Sequence, residues 1–396
     1  MADSGRKLIP LEGLRGIAAA IVVLYHLVLA FTPKGVGAVP HGYGALDVFT
    51  QFLLGMLNGG AAVAVFFVLS GFILSLPFAR DRRFSRVLVA LLKRWPRLAC
   101  LTVIACLFAF VLITWSGHDY KAAAHVIGAG WLASHGNSPI KPEHLTWEGA
   151  LREGLINVFT RGEVKFDSPL WTMRIELFGS FAIFLAAPVL FAIGSWTVRL
   201  GLVALAVYVS GTGYPFTFFA DFLTGTVLAM LYAEGRLPRL GNKAALVLGG
   251  LGLYLFSFTY EQALLIHAPL KLFLPAAYSH YVWDTGAAAI IMVLLGNPAA
   301  SRAFSGHWSV WLGVLSFPVY LLHGPILLSA GSAAFMEGVG TLGMAGAAVL
   351  AALCSIFLTL LCAVPLAWVD RLWTGLLSRL TRPLTRRRPP PAMEHA

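Results

Sequence analysis

Apolar residues in this chain fall into long runs, and the polar residues gather in short segments between them. An apolar run of about 18 residues or more is long enough for an α-helix to cross a bilayer. We count ten runs, the fifth of them short, and predict an all-α, polytopic membrane helix bundle with about ten transmembrane helices over residues 11–31, 60–79, 98–115, 171–193, 197–210, 216–233, 244–259, 281–296, 309–330 and 342–368.

The composition agrees with a membrane protein. Of the 396 residues, 58% are hydrophobic and 12% are charged, and the mean hydropathy is +0.78. A soluble domain carries about 25% charged residues. The first apolar run is long, no small-residue cleavage site follows it, and further runs come after. We therefore expect a retained helix and not a cleavable signal.

The formal net charge of +11 arises mainly from segments between the runs and from the C-terminal end. With ten helices, the cationic segments all lie on one side of the membrane: residues 6–7, 80–97, 236–243, 302 and 371–388. Positively charged loops favour the cytoplasm, which predicts that both termini are cytoplasmic. The basic charge is therefore attributed to orientation in the lipid bilayer, and no nucleic-acid partner is expected.

Residues 1–370 are predicted to form one membrane domain, and residues 371–396 a basic, proline-rich cytoplasmic tail. We expect this tail to set orientation or to attract anionic lipid headgroups. The longest non-cytoplasmic segment, residues 116–170, is expected to be an external loop with one or two interfacial helices. Metal-ligand spacing is absent there, so no metal is expected and four histidines are interpreted as solvated: His118, His125, His135 and His144.

The first run contains two ionisable residues, Arg15 near its start and His26 near its end. Eleven positions amount to about three helical turns, which places both side chains on one face about 16 Å apart. Ionisable groups inside a membrane are energetically unfavourable and often functional. Taken alone, Arg15 also fits a snorkelling anchor and His26 a polar helix–helix contact.

Two further motifs follow. Ser70 and Gly71 form a small-residue notch in the second run, which by itself is typical of close helix packing. Arg94 and Arg97 come directly before the third run. A basic cluster there is ordinarily a stop-transfer anchor, but two arginines three positions apart can also bind phosphate groups.

The fourth run opens with Trp171 and, five residues later, Glu176, an acid at the edge of an apolar helix. A structural ion pair with Arg174 is one interpretation of this glutamate. The ninth run carries three polar residues at spacings of four and three, Ser316, Tyr320 and His323. This spacing predicts that they share one helix face, which should be turned toward other helices or a water-filled cavity.

Taken together, these motifs resemble the acyltransferase-3 family of multi-span O-acyltransferases, in the family's order and from residue 11 to about residue 330. The first motif is an arginine and a histidine with ten residues between them, found here at Arg15 and His26. The others are the paired phenylalanines with Ser-Gly-Phe at residues 66–73, the paired arginines Arg94 and Arg97, Trp-x-x-x-x-Glu at Trp171 and Glu176, and the late Ser-x-x-x-Tyr-x-x-His at Ser316, Tyr320 and His323.

The chain also departs from the family's pattern. Members often carry an acid two positions before the paired phenylalanines, where this chain has Ala64. If that acid positions substrate in other members, its role is absent or displaced here. A late acid of the family matches Asp370 only loosely, and we expect no esterase-like domain of the kind that some relatives append.

The resemblance implies an acyl-CoA-dependent O-acyltransferase in a membrane, expected to be a bacterial inner (plasma) membrane. Its co-substrate would be acetyl-CoA or another acyl-CoA, and its acceptor a hydroxyl of a cell-surface or exported carbohydrate. An antibiotic or another secreted small molecule is the alternative acceptor. A membrane transporter is the rival from another class, because polar residues inside a bundle also suit a translocation path. A sensor without catalysis is the third interpretation.

Within that resemblance we assign hypothetical roles. The donor's phosphates would be bound by guanidinium groups, from Arg15, Arg94 and Arg97. His26 is the first choice as general base, with Glu176 orienting it, and His323 is the second. Either direct transfer or an acyl-histidine relay would follow. Oxyanion donors would be Tyr320 and Ser316, and the cavity or acceptor site would also include Ser70, Gly71 and Trp171.

Overall fold

The computed structural model describes residues 8–33, 52–116, 119–136, 140, 145–211, 213–259 and 265–385. All regular elements in this part of the chain are helical. The main helices are α1 (Ile9–Phe31), α2 (Gly59–Ser75), α3 (Phe84–Ser116), α4 (Asp119–Ile127), α5 (Trp147–Arg152), α6 (Trp171–Ala192), α7 (Trp196–Ser210), α8 (Phe219–Ala233), α9 (Asn242–Phe256), α10 (Ser279–Gly296), α11 (His307–Ile326) and α12 (Ser332–Thr385).

Shorter elements connect these helices. Single helical turns lie at Gly130–Ala133, Val158–Thr160, Ala268–Phe273 and Pro298–Ala303, and 3-10 turns at Leu76–Ala79, Ser168–Leu170, Phe216–Phe218, Leu265–His267 and Ala276–Tyr278. Two π turns continue α5 and α11, at Glu153–Asn157 and Leu327–Gly331 respectively.

A helix coincides with each of the ten apolar runs, so the predicted all-helical class is confirmed for the described residues. Within the described residues, six helical stretches are long and apolar enough to cross a membrane, namely Ile9–Phe31, Gly59–Ala79, Phe84–Trp115, Ser168–Ala192, Phe216–Ala233 and His307–Leu384. The last stretch is divided at Gly343, whose φ of 68° suits glycine and lets the chain fold back. The count of ten spans and the cytoplasmic termini stay predictions.

Two predicted boundaries need correction. Helix α3 begins at Phe84, fourteen residues before the predicted third span, and continues through Pro96. Arg94 and Arg97 therefore lie inside a helix and not in a loop. Helix α12 continues to Thr385, so the first part of the predicted tail is helical, whereas residues 386–396 lie outside the described residues.

The segment predicted as an external loop packs into the bundle. Its buried residues join the main hydrophobic core: Ala150, Val158, Phe159 and Phe166. The Thr102 hydroxyl of α3 donates a hydrogen bond to the Gly154 carbonyl at 2.6 Å. The histidine prediction was wrong for His135, which is 1% exposed. His125 is exposed, and His118 and His144 lie outside the described residues.

Small residues bring α1 and α11 into close contact. A Cβ atom on Gly13 would lie 2.7 Å from the Ser309 hydroxyl, and one on Gly16 would lie 2.3 Å from the Leu312 Cβ. The first turns of the two helices therefore meet, and His26 meets His323 near their last turns. The helices run parallel, which sets polar residues on both at matching depths.

Helix α2 occupies the centre of the bundle, packed against α1, α6, α8 and α10. It is apolar around its whole circumference, as expected for a central helix. A Cβ on Gly71 would lie 2.1 Å from the Phe222 carbonyl oxygen, and one on Gly225 would lie 2.0 Å from the Val68 carbonyl oxygen. Glycine is therefore required at both positions for α2 and α8 to approach.

Candidate active site

The structure brings the two predicted histidines into direct contact. The Nδ1 atom of His26 lies 2.8 Å from the Nε2 atom of His323. The ring centroids are 5.0 Å apart and the ring planes differ by 23°. We call this pair the histidine dyad. It arises because α1 and α11 pack in parallel, which brings together two residues 297 positions apart in the sequence.

The hydrogen bonds of the dyad determine which nitrogen is available for chemistry. His323 Nδ1 lies 2.8 Å from the Tyr320 carbonyl oxygen, and a carbonyl only accepts, so Nδ1 carries the proton. In a neutral His323 the Nε2 atom then accepts, and His26 Nδ1 must donate to it. His26 Nε2 therefore keeps its lone pair. Among the described residues no hydrogen bond engages that atom, and His26 is partly exposed whereas His323 is 1% exposed.

A tryptophan that sequence analysis missed lies on the dyad. The Trp131 ring stacks on the His26 ring with centroids 5.1 Å apart and an interplanar angle of 18°. Trp131 comes from a single helical turn, Gly130–Ala133, in a segment without clear periodicity. No local sequence pattern could have assigned it to the site.

Tyr320 and Ser316 lie on the predicted face of α11, but both hydroxyl protons are committed to the backbone. The Tyr320 hydroxyl donates to the Pro169 carbonyl at 2.9 Å and lies 3.0 Å from the Thr172 hydroxyl. The Ser316 hydroxyl donates to the Gly313 carbonyl at 2.7 Å. In this structure the two hydroxyls join helices or satisfy a helix, and their role as oxyanion donors stays a prediction.

Glu176 pairs with Arg94 and not with His26. The Arg94 guanidinium forms an ion pair with the Glu176 carboxylate and donates through Nε to Ser180 at 2.7 Å. The Ser70 hydroxyl also donates to Glu176, at 2.8 Å. The hypothesis that Glu176 orients His26 is thus corrected. Arg94 is only 8% exposed, and a buried guanidinium needs a counter-charge more than a neutral imidazole does.

The three predicted donor-binding arginines lie on two helices, Arg15 on α1 and Arg94 and Arg97 one turn apart on α3. The charges of both Arg15 and Arg97 act on the Arg94 guanidinium. Arg15 also pairs with Glu12 at 2.8 Å, one turn earlier on α1. Arg97 is exposed. Three guanidinium groups therefore share this end of the site with two carboxylates, from Glu12 and Glu176.

The remaining predicted residues do not touch the dyad. Gly71 packs against the Phe222 backbone, so its assignment to an acceptor cavity is corrected to helix packing. Trp171 lies in an aromatic cluster, 5.5 Å from the Phe218 ring and 6.2 Å from the Tyr214 ring.

A second polar cluster, which we call the α8–α10 cluster, was missed by sequence analysis. His280 Nε2 lies 2.8 Å from both carboxylate oxygens of Asp221, and Thr224 donates to Asp284 at 2.8 Å. Asp221 is fully buried, and His280 and Asp284 are 8% and 9% exposed. The signal was present, because Asp221 and Asp284 each interrupt an apolar run.

Two buried acids, Glu153 and Asp167, lie outside the membrane-spanning stretches. Burial raises the pKa of Glu153 to about 7. Burial, and then the nearby Glu153, hold the pKa of Asp167 well above its usual range. A Cβ on Gly324, the residue after His323, would lie 2.7 Å from an Asp167 oxygen. The described residues contain no group of three or more histidine, cysteine or acidic side chains arranged to hold a metal.

Comparison with known proteins identifies a family and a distant relative. The family described as an acyltransferase domain, Acyl_transf_3, matches residues 9–368. The chain is similar to the O-acetyltransferase PaAT-1 of Phomopsis amygdali, with 23% identity over 377 residues, 84% of this chain and 75% of the relative. No solved structure matches the chain.

Proposed function

The chain belongs to the acyltransferase-3 family, and from this premise we propose that it transfers an acetyl group from acetyl-CoA to a hydroxyl of a cell-surface or exported carbohydrate. Membrane O-acyltransferase activity follows from the family and from the apolar helices. Acetyl is favoured because the relative from Phomopsis amygdali is named an O-acetyltransferase. The donor would enter at the arginine end of α1 and the acceptor at the histidine end.

The observation that carries this proposal is the free lone pair on His26 Nε2. Acyl transfer to an alcohol needs a base within reach of the hydroxyl proton, and imidazole suits that task near neutral pH. In the proposed step His26 Nε2 takes the proton while the hydroxyl oxygen bonds to the acyl carbon. The carbon–sulfur bond then breaks and the leaving thiolate takes the proton from Nε2, which yields the ester and free CoA.

His323 acts through His26 in this mechanism. Its Nε2 atom accepts from His26 Nδ1, which fixes the ring orientation and the tautomer. The Tyr320 carbonyl in turn fixes the proton on His323 Nδ1. A histidine here plays the part that a carboxylate plays in a serine–histidine–aspartate triad.

The arginine end supports binding of an anionic donor. Arg15, Arg94 and Arg97 outnumber the two carboxylates that face them, which leaves a positive charge in a largely apolar bundle. Guanidinium groups bind phosphate through paired hydrogen bonds. Arg15 lies eleven residues from His26 on one helix, about 16 Å along the axis. The flexible arm between the phosphates and the thiol of CoA would cover that distance.

The proposal is tested with the full chain in lipid nanodiscs, radiolabelled acetyl-CoA and a panel of hydroxyl acceptors. We expect CoA release that depends on the acceptor and label recovered on the acceptor. Arg97→Ala should raise KM for acetyl-CoA about tenfold with little change in kcat, since it removes one phosphate contact. Arg302→Ala, which removes another exposed arginine, is the control and should match the wild type.

Two results would contradict the proposal. Acceptor-independent CoA release, or none with any acceptor while acetyl-CoA still binds, would argue against transfer to a hydroxyl. An unchanged KM in Arg97→Ala would argue against the proposed donor site but would not bear on transfer to a hydroxyl.

A further inference from the structure

Three rings contact the catalytic imidazole proposed above, those of His323, Trp131 and Tyr25. The His26 centroid lies 5.0 Å from that of His323, 5.1 Å from that of Trp131 and 5.5 Å from that of Tyr25. The interplanar angle of 18° presents the indole face, and not its edge, to His26. The face of an indole carries the negative part of the ring quadrupole.

Local hydrogen bonds hold Trp131 in this position. Its carbonyl accepts from the Ser134 hydroxyl at 3.0 Å and from the Gly136 amide at 2.9 Å. Gly136 has a φ of +69°, which closes this tight turn and suits glycine. The Ser168 hydroxyl donates to the Gly136 carbonyl, which ties the turn to the start of α6. The indole is therefore a built part of the site and not a loose surface ring.

We propose that Trp131 is a positioning residue whose indole face stabilises the positive charge that His26 carries while it holds the acceptor's proton. This inference rests on the proposed function, in which His26 Nε2 takes up that proton. A cation within about 6 Å of an indole centroid is attracted to it, and more strongly where water is excluded. The charge exists only during transfer, so the indole favours the transition state over the resting dyad.

The other titratable groups around His26 do not offer the same stabilisation. On α1 itself the Tyr25 ring lies 5.5 Å from the His26 ring between centroids, but the two planes are tilted by 56° and do not stack. From α11 comes His323, with Tyr320 5.9 Å behind it, measured between ring centroids. The Trp131 turn leads into His135, whose ring packs on Tyr120. Asp167 lies against the Gly324 backbone. No ion pair in the described part of the chain joins an acid to His26.

The test measures the charge state of His26 without needing an acceptor. Diethyl pyrocarbonate modifies only unprotonated imidazole nitrogens, and mass spectrometry of the His26 peptide gives the modification rate at each pH. In Trp131→Leu, which keeps an apolar side chain but removes the ring, the midpoint of this curve should move about 0.5 to 1 pH unit lower. Trp131→Phe keeps a ring face and should move it by less than half as much.

Transfer rates give a second, independent readout. Trp131→Leu should lower kcat about tenfold with KM for acetyl-CoA unchanged, and Trp131→Phe should recover most of that loss. Trp147→Leu is the matched control, because Trp147 is 56% exposed in the same segment, and it should match the wild type. Thermal unfolding of each variant checks that the bundle is intact.

Each alternative result contradicts a different statement. Equal midpoints in all variants, or the same shift for leucine and phenylalanine, would overturn the role of the indole face. A His26 that stays unmodified at every pH would contradict the free Nε2 atom. If the modification curves shift as expected but no acceptor is acylated by the wild type, the proposed function fails while the indole effect stands.

Discussion

The histidine dyad and the α8–α10 cluster both place a buried imidazole in the bundle, on different faces of α2. Phe66 packs against Tyr320 on the dyad side, and the adjacent Phe67 packs against Phe218, which contacts His280. His280 has the partner of a classical base, a carboxylate at 2.8 Å. His26 has only another imidazole.

The difference lies in access and in surroundings. His280 is 8% exposed and is enclosed by aromatic rings, with Phe218 at 4.5 Å and Trp283 at 6.0 Å between centroids. Its bond to Asp221 joins α8 to α10. His26 is partly exposed, keeps a free nitrogen and shares its helix with Arg15. On the proposed function, an imidazole that a reactant can reach is favoured as the base over one that has a stronger partner but is enclosed.

The largest effect should come from His26→Ala. Removing a general base lowers transfer about a thousandfold, because proton abstraction contributes about 10²–10⁴ to rate. The measurement is kcat for label transfer, with thermal unfolding as a check on the fold. His125→Ala, which removes an exposed histidine, should leave kcat unchanged. Retained activity in His26→Ala would move the reactive centre elsewhere, with His323 as the next candidate.

His323→Gln should have the next largest effect. Glutamine can accept from His26 Nδ1 but holds the ring less firmly and shares less of its charge, so we expect a loss of about thirtyfold in kcat. KM for acetyl-CoA should stay within about twofold of the wild-type value. A loss as large as that of His26→Ala would instead assign the base to His323.

His280→Asn should lower stability more than activity, which is the reverse of the effect expected at His26 and His323. It removes the carboxylate's partner at a fully buried Asp221, which destabilises the fold by about 1–3 kcal/mol. The melting temperature should fall while kcat of the folded protein changes less than about threefold. A stable His280→Asn protein without transfer activity would break the comparison, since the α8–α10 cluster would then be chemical and not structural.

The smallest effect concerns Glu153, a buried acid in the segment between α3 and α6. Burial raises the pKa of this carboxyl from 4.5 to about 7, so the folded protein holds the proton more tightly than the unfolded chain does. The resulting stability is present below pH 4.5 and is lost as pH rises toward 7. Glu153→Gln should flatten this decline by about 1–3 kcal/mol, measured as melting temperature against pH. Glu148→Gln, at an exposed position, should keep the wild-type slope.

Much of the fold could be predicted because apolar runs report helices directly. The start of α3 could not, since its cations interrupt the run. Arg94 is tolerated inside the helix through Glu176, 82 positions later, and a local pattern does not show a distant counter-charge. The same pair explains why Glu176 was wrongly assigned to His26.

The candidate site was predictable where it follows helical spacing. His26 and His323 were found because each lies on a polar face, but their contact depends on how α1 meets α11. Trp131 could not be found from the sequence. It is positioned by a turn that ends in a glycine with positive φ, and such a turn leaves no repeating pattern of polar and apolar residues.

Because α1 packs closely on α11, the number of residues between two positions on α1 sets the distance between the groups that they carry. Gly13 and Gly16 fix where the two helices engage, and His26 stands a set count of residues farther along. One residue inserted between Gly16 and His26 would lift the imidazole by about 1.5 Å and swing it through about 100°. The first helix therefore fixes the height of His26 relative to its contact with α11. Natural variation should change the side chains of this helix far more readily than the number of its residues.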